Sequence, residues 1–187
     1  MKITVYCGAS MGTSSKYKEA AETLGKWIAE NNYELVYGGG KVGLMGILAN
    51  TVLKNGGKAH GIMPDFLANR ELAHISLTSL EIVEDMSIRK KKMIELGDVF
   101  IALPGGPGTL EEITEVISWA RIGKNPNPCI LFNENGYYDF LQKMYDNMVK
   151  EGFFTKEDKE KILFSNDLEE ISNFIKNYKQ PELRQYN

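Results

Sequence analysis

A chain of 187 residues, 43% hydrophobic and 25% charged, can bury one sizeable core and has the balance of a soluble globular protein. A formal charge of −3 leaves no broad basic face for nucleic acid, although a few local donors suffice to hold one small anion. The longest apolar stretches run only a few residues, far short of the roughly 20 that cross a bilayer, so no membrane partner is expected.

The first strand-like run, Ile3 to Cys7, begins without the basic-then-apolar pattern of a signal peptide, so a cytoplasmic location is expected. A Gly/Ser loop from Gly8 to Ser15 leads into a helix over Lys16 to Asn31, with Ala20, Leu24, Trp27 and Ile28 at helical spacing. Glu34 to Tyr37 is a second strand ending at Gly38-Gly39-Gly40. Gly43 to Asn55 is a second helix, stopped by Gly56-Gly57. Lys58 to Met63 is a third strand, broken by Pro64. Residues 65 to 80 leave a short helix and an irregular loop both open. Glu81 to Val83 is a short strand before a helix from about Ser87 to Leu96.

Asp98 to Leu103 is the most apolar strand. It meets Pro104-Gly105-Gly106-Pro107-Gly108-Thr109 and a helix through Arg121. Pro128 to Phe132 is another strand, followed by helices at about Tyr138 to Lys150 and Leu168 to Tyr178 and a polar tail from about Pro181. No repeat or linker divides the chain, so residues 1–187 read as a single domain. Apolar strands alternating with helices predict an α/β fold: a Rossmann-like, doubly wound parallel sheet with helices on both faces. Ligands in such sheets bind beyond the carboxyl ends of the strands.

The turn at 104–109 joins a buried strand to a helix. Glycine lets backbone N–H groups approach an anion closely, the helix N-terminus adds unpaired donors, and Thr109 adds a hydroxyl, so phosphate is the natural ligand. A glycine-rich turn with a threonine cap is the plain alternative. Gly38-Gly39-Gly40-Lys41-Val42-Gly43 matches GxGxxG, but it follows the second strand and lacks the acidic residue about 20 positions on. Gly39 and Gly40 are therefore read as lining a mononucleotide pocket. No GxxxxGK[ST] occurs. Cys7, Cys129, His60 and His74 show neither CxxC nor HxxxH spacing, so no metal site is expected.

Met86, Arg89, Lys90 and Met93 share one side of their helix. Arg89 can make paired hydrogen bonds to a phosphate or base edge that lysine cannot reproduce; a solvated basic face is the alternative, and suits Lys91 and Lys92 better. On the next helix Glu112, Glu115 and Trp119 fall together, away from Glu111. Glutamates there ordinarily complement the helix dipole, but Glu112 lies one turn from the phosphate turn, on a flank bordering the core.

These residues resemble the Lonely Guy family, cytokinin riboside 5′-monophosphate phosphoribohydrolases once labelled putative lysine decarboxylases. The family pattern PGGxGTxxE is matched by Pro104 to Glu112, and its companion RKxxM by Arg89, Lys90 and Met93. Likeness extends from the opening VYCGAS through YGGGKVGLMG to Trp119 and Tyr137-Tyr138. The chain departs at Ser87-Ile88, where many members have His-Glu, at Pro107, where many have Tyr, and at Ser118, where many have Thr. The resemblance implies a homodimer and a reaction without metal or cofactor. It implies release of adenine, or an N6-substituted adenine, and ribose 5-phosphate from the nucleoside 5′-monophosphate. It also implies substrate contacts from Glu71, Met86, Arg89, Lys90, Gly105, Gly106, Pro107, Gly108, Thr109, Leu110, Glu111, Glu112 and Ser118, with Glu112 and Arg89 catalytic. A nucleotide- or cofactor-binding protein without hydrolytic activity is the rival reading. Lysine decarboxylase is poorly supported, because no cofactor-bearing lysine is discernible.

Overall fold

The computed structural model describes residues 1–68 and 73–182. Seven strands form one sheet: β1 (Lys2–Tyr6), β2 (Glu34–Tyr37), β3 (Lys58–Pro64), β4 (Ser79–Val83), β5 (Val99–Ala102), β6 (Cys129–Phe132) and β7 (Ile162–Ser165). The helices are α1 (Ser15–Glu30), α2 (Gly43–Lys54), α3 (Asp65–Ala68), α4 (Met86–Leu96), α5 (Pro107–Arg121), α6 (Asp139–Lys150), α7 (Lys156–Lys159) and α8 (Leu168–Asn177), with a 3₁₀ turn at Glu134–Gly136. Strand order is β4-β3-β2-β1-β5-β6-β7, and every pairing is parallel.

Alternation along each strand divides the core between the two faces. Ile3, Val5, Leu35, Tyr37 and Ile101 pack with α1, α2 and α8 through Leu24, Ile28, Leu48 and Ile171. Tyr6, Val36, Phe100 and Ala102 face the other way, against Met93, Ile113, Val116 and Tyr145 of α4, α5 and α6. Thr4 is a polar group on this second face, and its hydroxyl donates to the Met93 carbonyl at 3.1 Å, fixing α4 over the sheet centre.

Several elements depart from the sequence reading, the short helix α7 at Lys156–Lys159 among them. Residues 79–83 form a full strand, and Ile162–Ser165 is an edge strand paired to β6 in a region read as loop. The rest of the doubly wound order is as the alternation of strands and helices indicates. The sequence order reverses direction in space at β1, whose neighbours are β2 and β5. The loops after β1 and β5 therefore flank a crevice at the switch point, where such sheets take ligands.

The junctions are close. Gly43 has φ +60, and a Cβ there would come within 2.2 Å of the Ala9 carbonyl carbon. The neighbouring Leu44 N–H donates to the Gly8 carbonyl at 3.1 Å. Gly43→Ala is expected to cost about 3 kcal/mol, lowering Tm by about 6–12 °C. Gly56→Ala, at φ +78 with nothing within 4 Å of the new Cβ, is expected to cost only about 1–2 kcal/mol. Thermal melts followed by circular dichroism compare the two.

Candidate active site

The crevice is lined by Cys7, Gly8 and Ala9 after β1, by Met45, Leu67, Met86 and Arg89, and by Gly106, Gly108, Thr109 and Glu112 at the start of α5. It encloses about 260 Å³.

The turn before α5 has its acceptors occupied from outside. Tyr138 donates its hydroxyl to the Leu103 carbonyl at 2.8 Å. The Gly8 N–H donates to the Pro104 carbonyl at 3.2 Å, and the Tyr137 hydroxyl donates to the Gly105 carbonyl. A Cβ on Gly105 would lie 2.2 Å from Thr109 Oγ1 and 2.9 Å from the Gly8 nitrogen, so glycine is required for the two loops to meet. The donors are treated oppositely. Ser14, Asp85 and Asp167 cap α1, α4 and α8 with side-chain oxygens, whereas the cap of α5 is Gly106, which has no side chain to offer. Pro107 at the first position carries no N–H, and Cβ atoms on Gly106 or Gly108 would meet nothing within 4 Å. The first turn of α5 thus has no side-chain cap over its backbone donors, has open space at Gly106 and Gly108, and has a buried threonine beside it.

One turn along α5, Glu112 accepts from Arg89 Nη2 at 3.0 Å. Both are nearly enclosed, at 6% and 7% exposure. The guanidinium fits because residue 38 is glycine: a Cβ there would lie 2.5 Å from Arg89 Nη2. Arg89 Nη1 sits 3.7 Å from Met86 Sδ, and Arg89 Nε is buried with no hydrogen-bond partner among the described residues. Lys90 makes a parallel contact, pairing with Glu111 and lying 3.1 Å from Glu115 Oε2. The hydrogen bond to Glu111 holds its ammonium above the ordinary lysine range, with Glu115 adding to the effect. Burial pushes the Cys7 thiol well up, and the Glu112 charge pushes it further. Burial and Glu112 act the same way on the Tyr6 phenol.

The structure therefore brings Met86, Arg89, Gly106, Gly108, Thr109 and Glu112 to one crevice. Gly105, Pro107 and Leu110 border a second, apolar groove with Tyr137, Phe140 and Met144. Glu111 is exposed and joined to Lys90, and Ser118 is exposed on α5. Gly39 and Gly40 are set apart from the crevice lining. The Gly39 carbonyl accepts from His74 N–H at 2.9 Å, Gly40 bridges Ala73, and the Gly40 carbonyl accepts from the Tyr37 hydroxyl at 3.2 Å. Glu71 lies outside the described residues. Cys7, Gly8, Ala9, Met45 and Leu67 went unread, and so did Gly38 as the residue that admits Arg89. VYCGAS carries Cys7, Gly8 and Ala9, and YGGGKVGLMG carries Gly38 and Met45, whereas no motif reaches Leu67. Among the described residues no group of three or more His, Cys, Asp or Glu is placed to hold a metal ion.

A family model described as "Possible lysine decarboxylase" matches residues 45–175. The cytokinin riboside 5′-monophosphate phosphoribohydrolase of Rhodococcoides fascians is 46% identical over 168 residues, covering 89% of this chain and 85% of that protein. An Arabidopsis thaliana protein of the same name is 41% identical over 177 residues, covering 95% and 82%. The chain belongs to the Lonely Guy family of phosphoribohydrolases. Among solved structures, the molybdenum cofactor binding protein of Rippkaea orientalis superposes with a TM-score of 0.71 at 22% identity, covering 94% of each chain. At that identity the likeness is one of fold. The Lonely Guy sequence patterns map onto the two helix starts that face each other here, α4 and α5.

Removing one partner of the buried pair strands a charge. Glu112→Leu or Arg89→Met alone is expected to cost about 3–5 kcal/mol, while the Arg89→Met/Glu112→Leu double variant recovers most of it. Urea denaturation of the cycle measures the coupling, and simple additivity would show the pair is not a support. The thiols give a second check. Burial holds Cys129 up at about 12 and Cys7 higher. Iodoacetamide at pH 8 is expected to leave both unmodified in the native protein and to label both after unfolding, as intact mass will show.

Proposed function

We propose that this protein hydrolyses the N-glycosidic bond of adenosine-type nucleoside 5′-monophosphates, both AMP and cytokinin riboside 5′-monophosphates, giving the free base and ribose 5-phosphate. The observation that carries the reading is the juxtaposition on α5 of an uncapped N-terminus and the Glu112 carboxylate one turn further on. Three residues of helix span about 4.5 Å. A 5′-phosphate held at Gly106, Gly108 and Thr109 would thus keep its ribose within reach of Glu112. The names of the relatives from Rhodococcoides fascians and Arabidopsis thaliana support the same substrate class.

The reaction breaks C1′–N9, and the electron pair goes to the base nitrogen. Positive charge builds at C1′ and its ring oxygen, and a carboxylate beside them stabilises it. Glu112 takes that role and orients the water whose oxygen bonds to C1′. Of the water's two protons, one ends on the departing base and the other stays on the new anomeric hydroxyl. Arg89 orients the Glu112 carboxylate through its 3.0 Å contact and offsets negative charge on the leaving purine. Its planar fork offers paired donors that a lysine would not reproduce. No lysine lines the crevice among the described residues, so Schiff-base chemistry of the kind a lysine decarboxylase uses has no residue here to carry it. The protein acts as a cytoplasmic homodimer in this reading. The exposed apolar side chains of Leu110, Phe140 and Met144 support a covered surface, and sedimentation equilibrium reports the state directly.

AMP is expected to yield adenine and ribose 5-phosphate, with adenosine a poor substrate because it lacks the anchor. Glu112→Gln and Arg89→Ala are each expected to lower turnover at least about 100-fold. Chromatography of free bases after incubation with a panel of nucleoside monophosphates reads all three. Tight nucleotide retention with no base released would favour the binding-protein reading, and full activity in Glu112→Gln would remove the assigned carboxylate.

A further inference from the structure

We propose that Tyr137 is a positioning residue: by holding the Gly105 carbonyl, its phenol hydroxyl aims the Gly106 N–H into the crevice as a donor to the 5′-phosphate. This rests on the reading above, in which the start of α5 holds the phosphate. In a trans peptide the carbonyl of one residue and the N–H of the next point in opposite directions. The Tyr137 hydroxyl donates to the Gly105 carbonyl. It does so from the groove it shares with Pro107, Phe140 and Met144, whereas Gly106 borders both that groove and the crevice. A carbonyl fixed on the groove side turns the N–H of the same peptide unit to the crevice side. Among the described residues that N–H meets no acceptor, and space is open at Gly106, where a Cβ would meet nothing within 4 Å.

A phenol can direct a backbone group only if its own ring is held. The Tyr137 ring is 40% exposed but stands between two others, edge-on to Tyr17 at 5.7 Å and to Tyr138 at 5.0 Å. The turn that carries it is fixed as well. Asn135 and Gly136 take positive φ, the Asn133 side-chain oxygen accepts from the Tyr138 N–H at 2.7 Å, and Lys16 Nζ of α1 donates to the Asn135 side chain at 3.1 Å. The adjacent Tyr138 makes a bond that looks equivalent, from its hydroxyl to the Leu103 carbonyl at 2.8 Å. The next nitrogen there belongs to Pro104, which has no N–H, so this bond aims no donor. Tyr138 is buried and secures the end of the β5 segment, whereas Tyr137 sets the direction of a group that faces the ligand. Two neighbouring tyrosines of the same chemistry thus separate support of the fold from orientation of the anchor.

The test compares Tyr137→Phe and Tyr138→Phe with the parent protein, each keeping its ring and losing only the hydroxyl. Tyr137→Phe is expected to raise KM for AMP and the inhibition constant of ribose 5-phosphate together, by roughly 5- to 10-fold, the scale of one hydrogen bond. Its kcat for AMP, and its kcat/KM for adenosine, which has no phosphate to anchor, are expected to change by less than about twofold. Its Tm is expected to stay within about 3 °C of the parent, because water can replace the lost partner at an exposed carbonyl. Tyr138→Phe is expected to show the reverse, a Tm lower by roughly 4–8 °C with KM for AMP within about twofold of the parent. An unchanged KM in Tyr137→Phe would overturn the positioning role, as would an equal loss on adenosine, or KM rising in both variants in step with the fall in Tm. A parent protein that neither releases base nor binds ribose 5-phosphate would overturn the proposed function itself, whereas a parent that does both while Tyr137→Phe matches it would overturn the positioning role alone.

Discussion

The arrangement depends on one enclosed ion pair, Arg89 with Glu112 at 3.0 Å. Helix α5 carries two features that oppose each other electrostatically: its first turn has no side-chain cap over its backbone donors, and beyond it come Glu111, Glu112 and then Glu115. Carboxylates so near would repel an arriving phosphate. The basic start of α4 answers them, Arg89 on Glu112 and Lys90 on Glu111 and Glu115. The carboxylates that follow the first turn of α5 are thus each joined to a basic side chain of α4, Glu112 within the crevice. Preorganised charge of this sort costs stability to assemble and needs little rearrangement when charge develops on a substrate.

Glycine makes this packing possible at three points, each for a different neighbour. Gly38 leaves room for a guanidinium, Gly105 lets the β1 and β5 loops touch, and Gly43 lets α2 start against Ala9. The two glycine-rich loops look alike in sequence and differ in where their hydrogen-bonding groups go. The start of α2 donates to the carbonyls of Gly8 and Ser10 and so braces the β1 loop. Among the described residues the start of α5 has no such bond or side-chain cap, while the carbonyls ahead of it are taken by Tyr138, Gly8 and Tyr137. In the proposed function, occupied acceptors and open donors set the loop before α5 apart from the bracing loop before α2, and residue type alone does not reveal the difference.

That is also why the sequence was legible in some places and silent in others. Apolar runs such as Val99 to Ala102, buried on both faces, announce themselves, and the turn that follows one and opens a helix announces an anion site. Ile162–Ser165 does not: it is a four-residue edge strand between charged segments, recognisable only from its pairing with β6. Residues 79–83 alternate too weakly because most of that edge strand faces solvent. Helical spacing brought Arg89 and Lys90 to one side of α4, but their different partners follow from where α5 crosses, which spacing along one helix cannot tell. Met45, Leu67 and Cys7 come from three separate elements and converge only when the sheet is assembled.

The same convergence bears on how the family's chemistry tolerates change. Ser87 and Ile88 stand where many members carry His and Glu, yet in this chain Ser87 is exposed and Ile88 packs beside the second core face. Neither lines the crevice among the described residues, whereas Met86 and Arg89 on either side of them do. A helix turns about 100° per residue, so substitution at two consecutive positions between them need not disturb the pair that faces inward. Pro107 is similar in effect. At the first position of α5 it gives up an N–H that no helix bond would have used and fixes the backbone for the turn that follows. The donors on which the proposed phosphate seat rests come one and two residues later, at Gly108 and Thr109, and both match the family pattern.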